Sequence, residues 1–248
     1  MTYAILFSLG CFLLACFGAS IVFFIKKSSN SLNVFMHAFA SGIMVASSIF
    51  SIIISSLNYC HDLTMPKYLV LPICFLVAGI TFFILEFKQA NNQETGKINT
   101  LSLSIGFALH NIPEGMCLGF AFASFSHLGT HSALMSAIMI AVGIGVQNIP
   151  EGSSIAFPLY SKGVNKRKSF FCSISIAFVE VIACIVSFFI GSAFVYVLPF
   201  MLAFAGATML IVAIFDLMPE AISINKTLAY VFFLLGFILM MVLSLILG

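Results

Sequence analysis

Residues 101–125 read LSLSIGFALHNIPEGMCLGFAFASF, and residues 132–158 read SALMSAIMIAVGIGVQNIPEGSSIAFP. Each is an apolar run long enough for an α-helix to cross a hydrocarbon core of about 30 Å. Each also carries one carboxylate, Glu114 or Glu151. From 98 through 161 these are the only formally charged residues. The stretch therefore predicts two membrane helices, each with an acid near mid-depth. Both carry the same signature, HNIPEG at 110–115 and QNIPEG at 147–152.

The rest of the chain agrees with that reading. Its 248 residues are 62% hydrophobic and 7% charged, with a mean hydropathy of +1.19. Soluble domains carry about 25% charged residues, so a soluble enzyme, a nucleic-acid binder and a disordered scaffold are excluded. Six further apolar runs at 3–25, 34–57, 68–87, 170–196, 199–222 and 227–247 bring the expected spans to eight. All lie in one transmembrane domain, 1–248. The first run lacks a basic n-region and reads as a retained helix, not a signal peptide. Six of the seven cysteines fall inside apolar runs and follow no paired spacing, which predicts packing rather than a disulfide framework.

Loop charges set an orientation. Lys26, Lys27, Lys88, Lys97, Lys162, Lys166, Arg167, Lys168 and Lys226 lie in alternate connections, against Lys67 alone on the other side. Basic loops stay in the cytoplasm, so both termini are expected to be extracytoplasmic. The chain also echoes itself. FASGIMVASSIFS at 39–51 aligns with FAGATMLIVAIFD at 204–216, and HNIPEG repeats as QNIPEG, each pair on spans of opposite direction. Inverted repeats of this kind build secondary transporters that hold their substrate between the halves. The expected fold is thus an all-α integral membrane bundle of eight transmembrane helices with inverted repeats.

The acids carry the function. Glu180 is the one formal charge from 169 through 215, and no Lys or Arg lies within its span or those of Glu114 and Glu151. A carboxylate facing lipid costs several kcal/mol unless it is paired, solvated or bound to a cation. Three of them call for a cation, either a proton or a metal. On a helix His110 and Glu114 share a face, as do Gln147 and Glu151. Pro113 and Pro150 cannot donate to the carbonyls of Leu109 and Val146, and the glycine after each Glu permits close helix approach. An imidazole, carboxylates and amide oxygens around one point would make a mixed N/O shell suited to first-row divalent metals.

The doubled motif on the fourth and fifth of eight spans resembles the ZIP (Zrt-, Irt-like protein) family of divalent-metal transporters, with the GufA-like prokaryotic branch nearest. DLMPEA on span seven and the Met-containing stretch on span two extend the likeness over essentially the whole chain. The resemblance implies a binuclear centre. His110, Glu114, Gln147 and Glu151 would form one position, with Met44 adjacent. Asn111, Asn148 and Glu180 would form the second, with Glu114 and Glu151 as bridges. Ser51 and Asn58 resemble residues lining the external approach, and Glu86, Asp216 and Glu220 would line the cytoplasmic exit. This chain departs from the family in three places. Asn148 stands where relatives often have Asp, Phe215 where many have His, and the loop 88–100 has no histidine.

The implied function is uptake of a divalent metal into the cytoplasm, zinc first, with iron, manganese or cadmium as other candidates. The metal would be substrate and not cofactor. The expected setting is the plasma or bacterial inner membrane, with the lipid bilayer and, by family expectation, a second copy of the chain as partners. A helix set carrying the site would rock or move as an elevator; the sequence leaves both open. The alternative is a proton-coupled carrier of another small solute using the same glutamates. An intramembrane protease is remote, since HExxH is absent and Asp216 is the one membrane aspartate. His37 and His61 read as interfacial, His127 and His131 as solvated, and Cys117 as packing.

Overall fold

The computed structural model describes residues 1–24, 30–58, 67–93, 100–161, 163–193 and 198–247, with side chains throughout except at 58, 67, 85–93, 100–110, 158, 161, 198 and 247. The protein is helical, and no strand occurs among the described residues. We number its helical rods α1 (Thr2–Ser20, continued by a 3-10 turn), α2 (30–58), α3 (Lys67–Gln93), α4 (Thr100–Leu128), α5 (His131–Ser161), α6 (Lys166–Ala193), α7 (198–224) and α8 (Lys226–Leu247). A rod stands at each expected span. Six stretches among the described residues are long and apolar enough to cross a membrane: Thr2–Phe23, Asn30–Leu57, His131–Phe157, Lys166–Ala193, Pro199–Ile224 and Lys226–Ile246. The chain is an all-α, multi-pass membrane protein.

One difference from the sequence reading concerns the basic run 166–168. It lies in the first turn of α6 rather than in the preceding connection. Three cations there oppose the helix dipole, but Asn165 caps the helix. Its Oδ1 accepts from Lys168 N at 2.8 Å and its carbonyl from Ser169 N at 2.9 Å. Gly163, at φ 90°, supplies the left-handed turn before it.

Within lipid, helix association depends on close packing and interhelical hydrogen bonds rather than on hydrophobic drive. Small residues set the contacts. A Cβ on Gly115 would overlap the Glu180 carbonyl and Cys184 N, and one on Gly119 the Cys184 carbonyl, so α4 and α6 run with backbones touching. Gly18 and Gly152 do the same for α1 and α5, as do Gly42 and Gly236 for α2 and α8. Serines tie these seams to carbonyls of the neighbouring helix, as in Ser153 Oγ to Gly18 O and Ser173 Oγ to Gly152 O, both 2.8 Å. Two packing groups result. α1, α4, α5 and α6 form one, and α2, α3, α7 and α8 the other, meeting chiefly where α5 touches α2 and α4 touches α7.

α2 and α7 pack antiparallel. His37 faces Glu220, Ser41 Oγ donates to Ala213 O at 2.8 Å, Ile52 lies over Gly206, and Ser56 Oγ donates to Pro199 O at 2.8 Å. These are the helices that carry the internal echo. Each also contains a π-helical segment, Ser47–Ile53 and Ala213–Leu217. In the echo's register 213–217 falls on 48–52, so the repeated sequence has a repeated backbone irregularity. Such π segments gather at functional sites.

Candidate metal centre

α4 and α5 run antiparallel, so the two NIPEG motifs meet at one depth and exchange partners. Gln147 of the second motif donates through Nε2 to Glu114 Oε1 of the first, and Asn111 of the first donates through Nδ2 to Glu151 Oε1 of the second at 3.3 Å. α6 joins through Glu180, whose Oε2 accepts from Asn148 Nδ2 at 2.6 Å. The repeat thus has a chemical meaning. Each buried carboxylate is held by one amide from a neighbouring helix.

Burial of the set is nearly complete. Glu114, Gln147 and Glu180 are 0% exposed, Asn148 1%, Asn111 2% and Glu151 6%. No charged nitrogen joins them among the described residues; the only ion pair there involves His37. Amide donors satisfy part of the carboxylates' capacity and leave the rest. Glu114 Oε2, Gln147 Oε1, Asn148 Oδ1 and Glu180 Oε1 are buried acceptors without a hydrogen-bond partner among the described residues. Buried acceptors ordinarily find a donor, and a carboxylate accepts only. Four such oxygens on two adjacent helices and a third fit a cation that gathers oxygen ligands. Among the described residues no three His, Cys, Asp or Glu side chains stand close enough to hold an ion by themselves. The amides interleave the glutamates, so any cation here would take amide oxygens as well as carboxylates.

The remaining expected residues are distributed as follows. His110 lies on α4 one turn before Glu114, and its side chain is outside the described residues, as are those of Asn58 on α2 and Glu86 on α3. Met44 is 1% exposed and belongs to the main core cluster, which also contains Cys117, Ile144 and Met209. Cys117 Sγ lies 3.7 Å from Met209 Sδ, in keeping with packing. Ser51 is buried and shares a 3.3 Å hydrogen bond with Ser244 of α8. It lies within the π segment Ser47–Ile53, where each extra residue turns a helix face by about 100°, so the seven residues from Met44 to Ser51 do not make a straight stripe. Asp216 is half-buried at the end of the second π segment, and Phe215 beside it is exposed. Glu220 lies a turn further on, 52% exposed.

Two contributions escaped the sequence. The carbonyl of Cys11 on α1 accepts from Asn148 Nδ2 at 3.3 Å, so a helix with no charged residue helps to hold the amide. Main-chain acceptors carry no residue-type signal. The other is His37, which packing against α7 buries. Its place on α2, four residues before Ser41 on the face toward α7, was the available hint.

An α-helical membrane bundle with three buried carboxylates, two of which (Glu114 and Glu180) keep an unpartnered acceptor oxygen, has the chemistry to take up a cation. The family described as ZIP Zinc transporter matches residues 86–244, and the chain belongs to that family. Zinc transporter ZIPB of Bordetella bronchiseptica is 29% identical over 259 aligned residues, covering 99% of this chain and 82% of that protein. Zinc transporter ZIP11 of Homo sapiens is 38% identical, and that of Bos taurus 41%, over 147 residues. That alignment takes in 59% of this chain and 43% of each ZIP11. The protein is therefore a metal transporter and not an enzyme, and the metal is its substrate.

Proposed function

We propose that the protein carries a divalent transition metal, zinc first, into the cytoplasm through a mid-membrane binuclear site on α4, α5 and α6. The observation behind this is the exchange of amides between the two motifs. It holds Glu114 and Glu151, Asn148 holds Glu180 beside them, and acceptor oxygens on Glu114, Gln147, Asn148 and Glu180 are left for a cation. His110, Glu114, Gln147 and Glu151 make one position, with Met44 at its edge. Asn111, Asn148 and Glu180 make the second, sharing Glu114 and Glu151. Ser51 and Asn58 belong to the outer approach, and Glu86, Asp216 and Glu220 to the exit.

The residues suggest how transport proceeds. A hydrated ion exchanges waters for carboxylate and amide oxygens. The amides of Gln147 and Asn148 need only rotate to offer oxygen in place of N–H. Metal and protons compete for the same carboxylates. The division into two helix groups supports movement of α1, α4, α5 and α6 as a unit against the other four. The excess of basic residues in alternate connections supports external termini, and the setting is a cell membrane.

The test is uptake of radioactive zinc into proteoliposomes holding the purified protein, beside a His110→Ala/Glu114→Gln variant. Saturable uptake abolished in the variant supports the site. Equal zinc background in both, with proton flux that the variant loses, would replace the metal reading by a proton-coupled carrier.

A further inference from the structure

We propose that an anionic phospholipid binds where α1 ends and α6 begins, its phosphate held by Arg167 and Lys168 and its acyl chains laid along the aromatic seam of the two helices. This goes beyond transport and stands whether or not zinc is the substrate.

α6 opens on three consecutive cations, Lys166, Arg167 and Lys168, with no acidic residue in its first turn. The positive end of a helix dipole repels cations and attracts phosphate. Lys166 is committed within the protein. It is half-buried, its Nζ donates at 3.1 Å to the carbonyl of Phe23, where α1 runs out, and it lies 5.3 Å over the ring of Tyr160. Arg167 and Lys168 are exposed, and neither joins an ion pair among the described residues. A phosphate at this point would meet two cations and the positive end of the helix together.

The apolar surroundings decide which phosphate fits. Residues three and four apart share a helix face, and Arg167 and Lys168 stand at the head of the exposed run Phe171, Phe178, Ile182 and Val186. In a membrane protein that run faces lipid. The end of α1 adds Phe24, 85% exposed, and Phe23, whose ring lies 5.2 Å from that of Phe170. Further along the seam Phe12 meets Phe178 at 5.6 Å. The two cations therefore sit at one end of a continuous apolar surface, which suits a headgroup with its chains and not a free anion.

The start of α8, on the same side of the bundle, shows what plain anchoring takes. Asn225 caps it as Asn165 caps α6, its Oδ1 accepting from Leu228 N at 3.0 Å and its carbonyl from Ala229 N at 2.9 Å. Lys226 lies 5.9 Å over Tyr230, as Lys166 lies over Tyr160. No further cation follows it. Arg167 and Lys168 are additional to the cap and the ring-stacked lysine that the two helices share.

The chain has no tryptophan, so Phe171→Trp gives the full-length protein a single fluorescent reporter at the proposed contact, and Tyr230→Trp gives one beside Lys226. Each variant is reconstituted in vesicles of phosphatidylglycerol and phosphatidylcholine, with one lipid or the other carrying brominated chains that quench indole. Each cation near a phosphate is worth about fivefold in affinity, so the preference for phosphatidylglycerol should be roughly tenfold or more greater at 171 than at 230. Adding Arg167→Gln/Lys168→Gln should lower the preference at 171 by about 25-fold, with thermal unfolding unchanged because both side chains are exposed. Equal preferences at the two reporters would make the attraction that of any basic interface and overturn the proposal. A preference that survives the double variant would overturn it as well. Inorganic phosphate that abolishes the preference where sodium chloride of equal ionic strength does not would assign the two cations to a free anion, against the lipid.

Discussion

Asn148 offers the sharpest test of the central geometry. Its Nδ2 donates to Glu180 Oε2 at 2.6 Å and to Cys11 O at 3.3 Å, at a site 1% exposed. N148D replaces this donor with a second carboxylate. A hydrogen bond to a charged group is worth about 1.5–3 kcal/mol and a neutral one about 0.5–1.5 kcal/mol. Without metal the variant should therefore lose about 2–4 kcal/mol. For a chain of this size each kcal/mol corresponds to about 2–4 °C, so the midpoint in detergent should fall by roughly 5–15 °C. Zinc should reverse the order, because the added charge strengthens the site, and the zinc-induced rise should exceed that of the unaltered protein. N148D/E180Q exchanges donor and acceptor. It should recover most of the metal-free stability and lose most of the zinc response. A metal-free midpoint within 2 °C of the original, or an exchange that restores nothing, would refute the latch between α5 and α6.

Other consequences are as direct. G115A should lower the yield of folded, monodisperse protein sharply, because a Cβ there meets the backbone of α6, whereas G10A and G79A, with open space around them, should leave size-exclusion profiles unchanged. Zinc uptake should fall as external pH drops from 7.5 to 5.5, since protons compete with metal for the carboxylates; a flat initial rate would count against carboxylate ligation. S41A removes the 2.8 Å bond to Ala213 O at the second π segment and should cost about 1 kcal/mol in thermal unfolding. Cysteine-reactive probes of low permeability should label positions at both termini from outside intact cells and none in 88–100; the reverse pattern would invert the topology.

What the sequence discloses here follows from what membranes penalise. Hydropathy marks spans because every backbone polar group in lipid needs an internal partner; helical rods among the described residues overlap the expected runs, and six of them are long and apolar enough to cross a membrane. Isolated acids stand out for the same reason, so Glu114, Glu151 and Glu180 were legible one by one. Their partnership was legible only through the repeat, which puts an amide at 111 opposite an acid at 151 and an amide at 147 opposite an acid at 114. Two features stayed hidden. The π segments were not anticipated, although they recur in the register of the internal echo. His37 reads as interfacial near the start of its span, yet packing against α7 buries it.

The amide latches bear on why a transporter would build its site this way. A site of carboxylates alone would bind a divalent ion tightly and, when empty, would hold like charges together without relief. Gln147, Asn111 and Asn148 each hold one carboxylate through N–H and carry an oxygen on the same group. On the proposed site, rotating an amide would convert a donor that stabilises the empty site into a ligand that completes the filled one. A metal would then have to displace hydrogen bonds worth about 1.5–3 kcal/mol each as it binds, and those bonds would re-form as it leaves. The empty and filled states would thereby come closer in free energy, as turnover requires: binding must be favourable enough to admit the ion and weak enough to release it. Replacing Gln147 by Glu would remove one latch. It should tighten equilibrium zinc binding and slow uptake together, and a variant that bound more tightly while transporting faster would show that the latches do not set the rate.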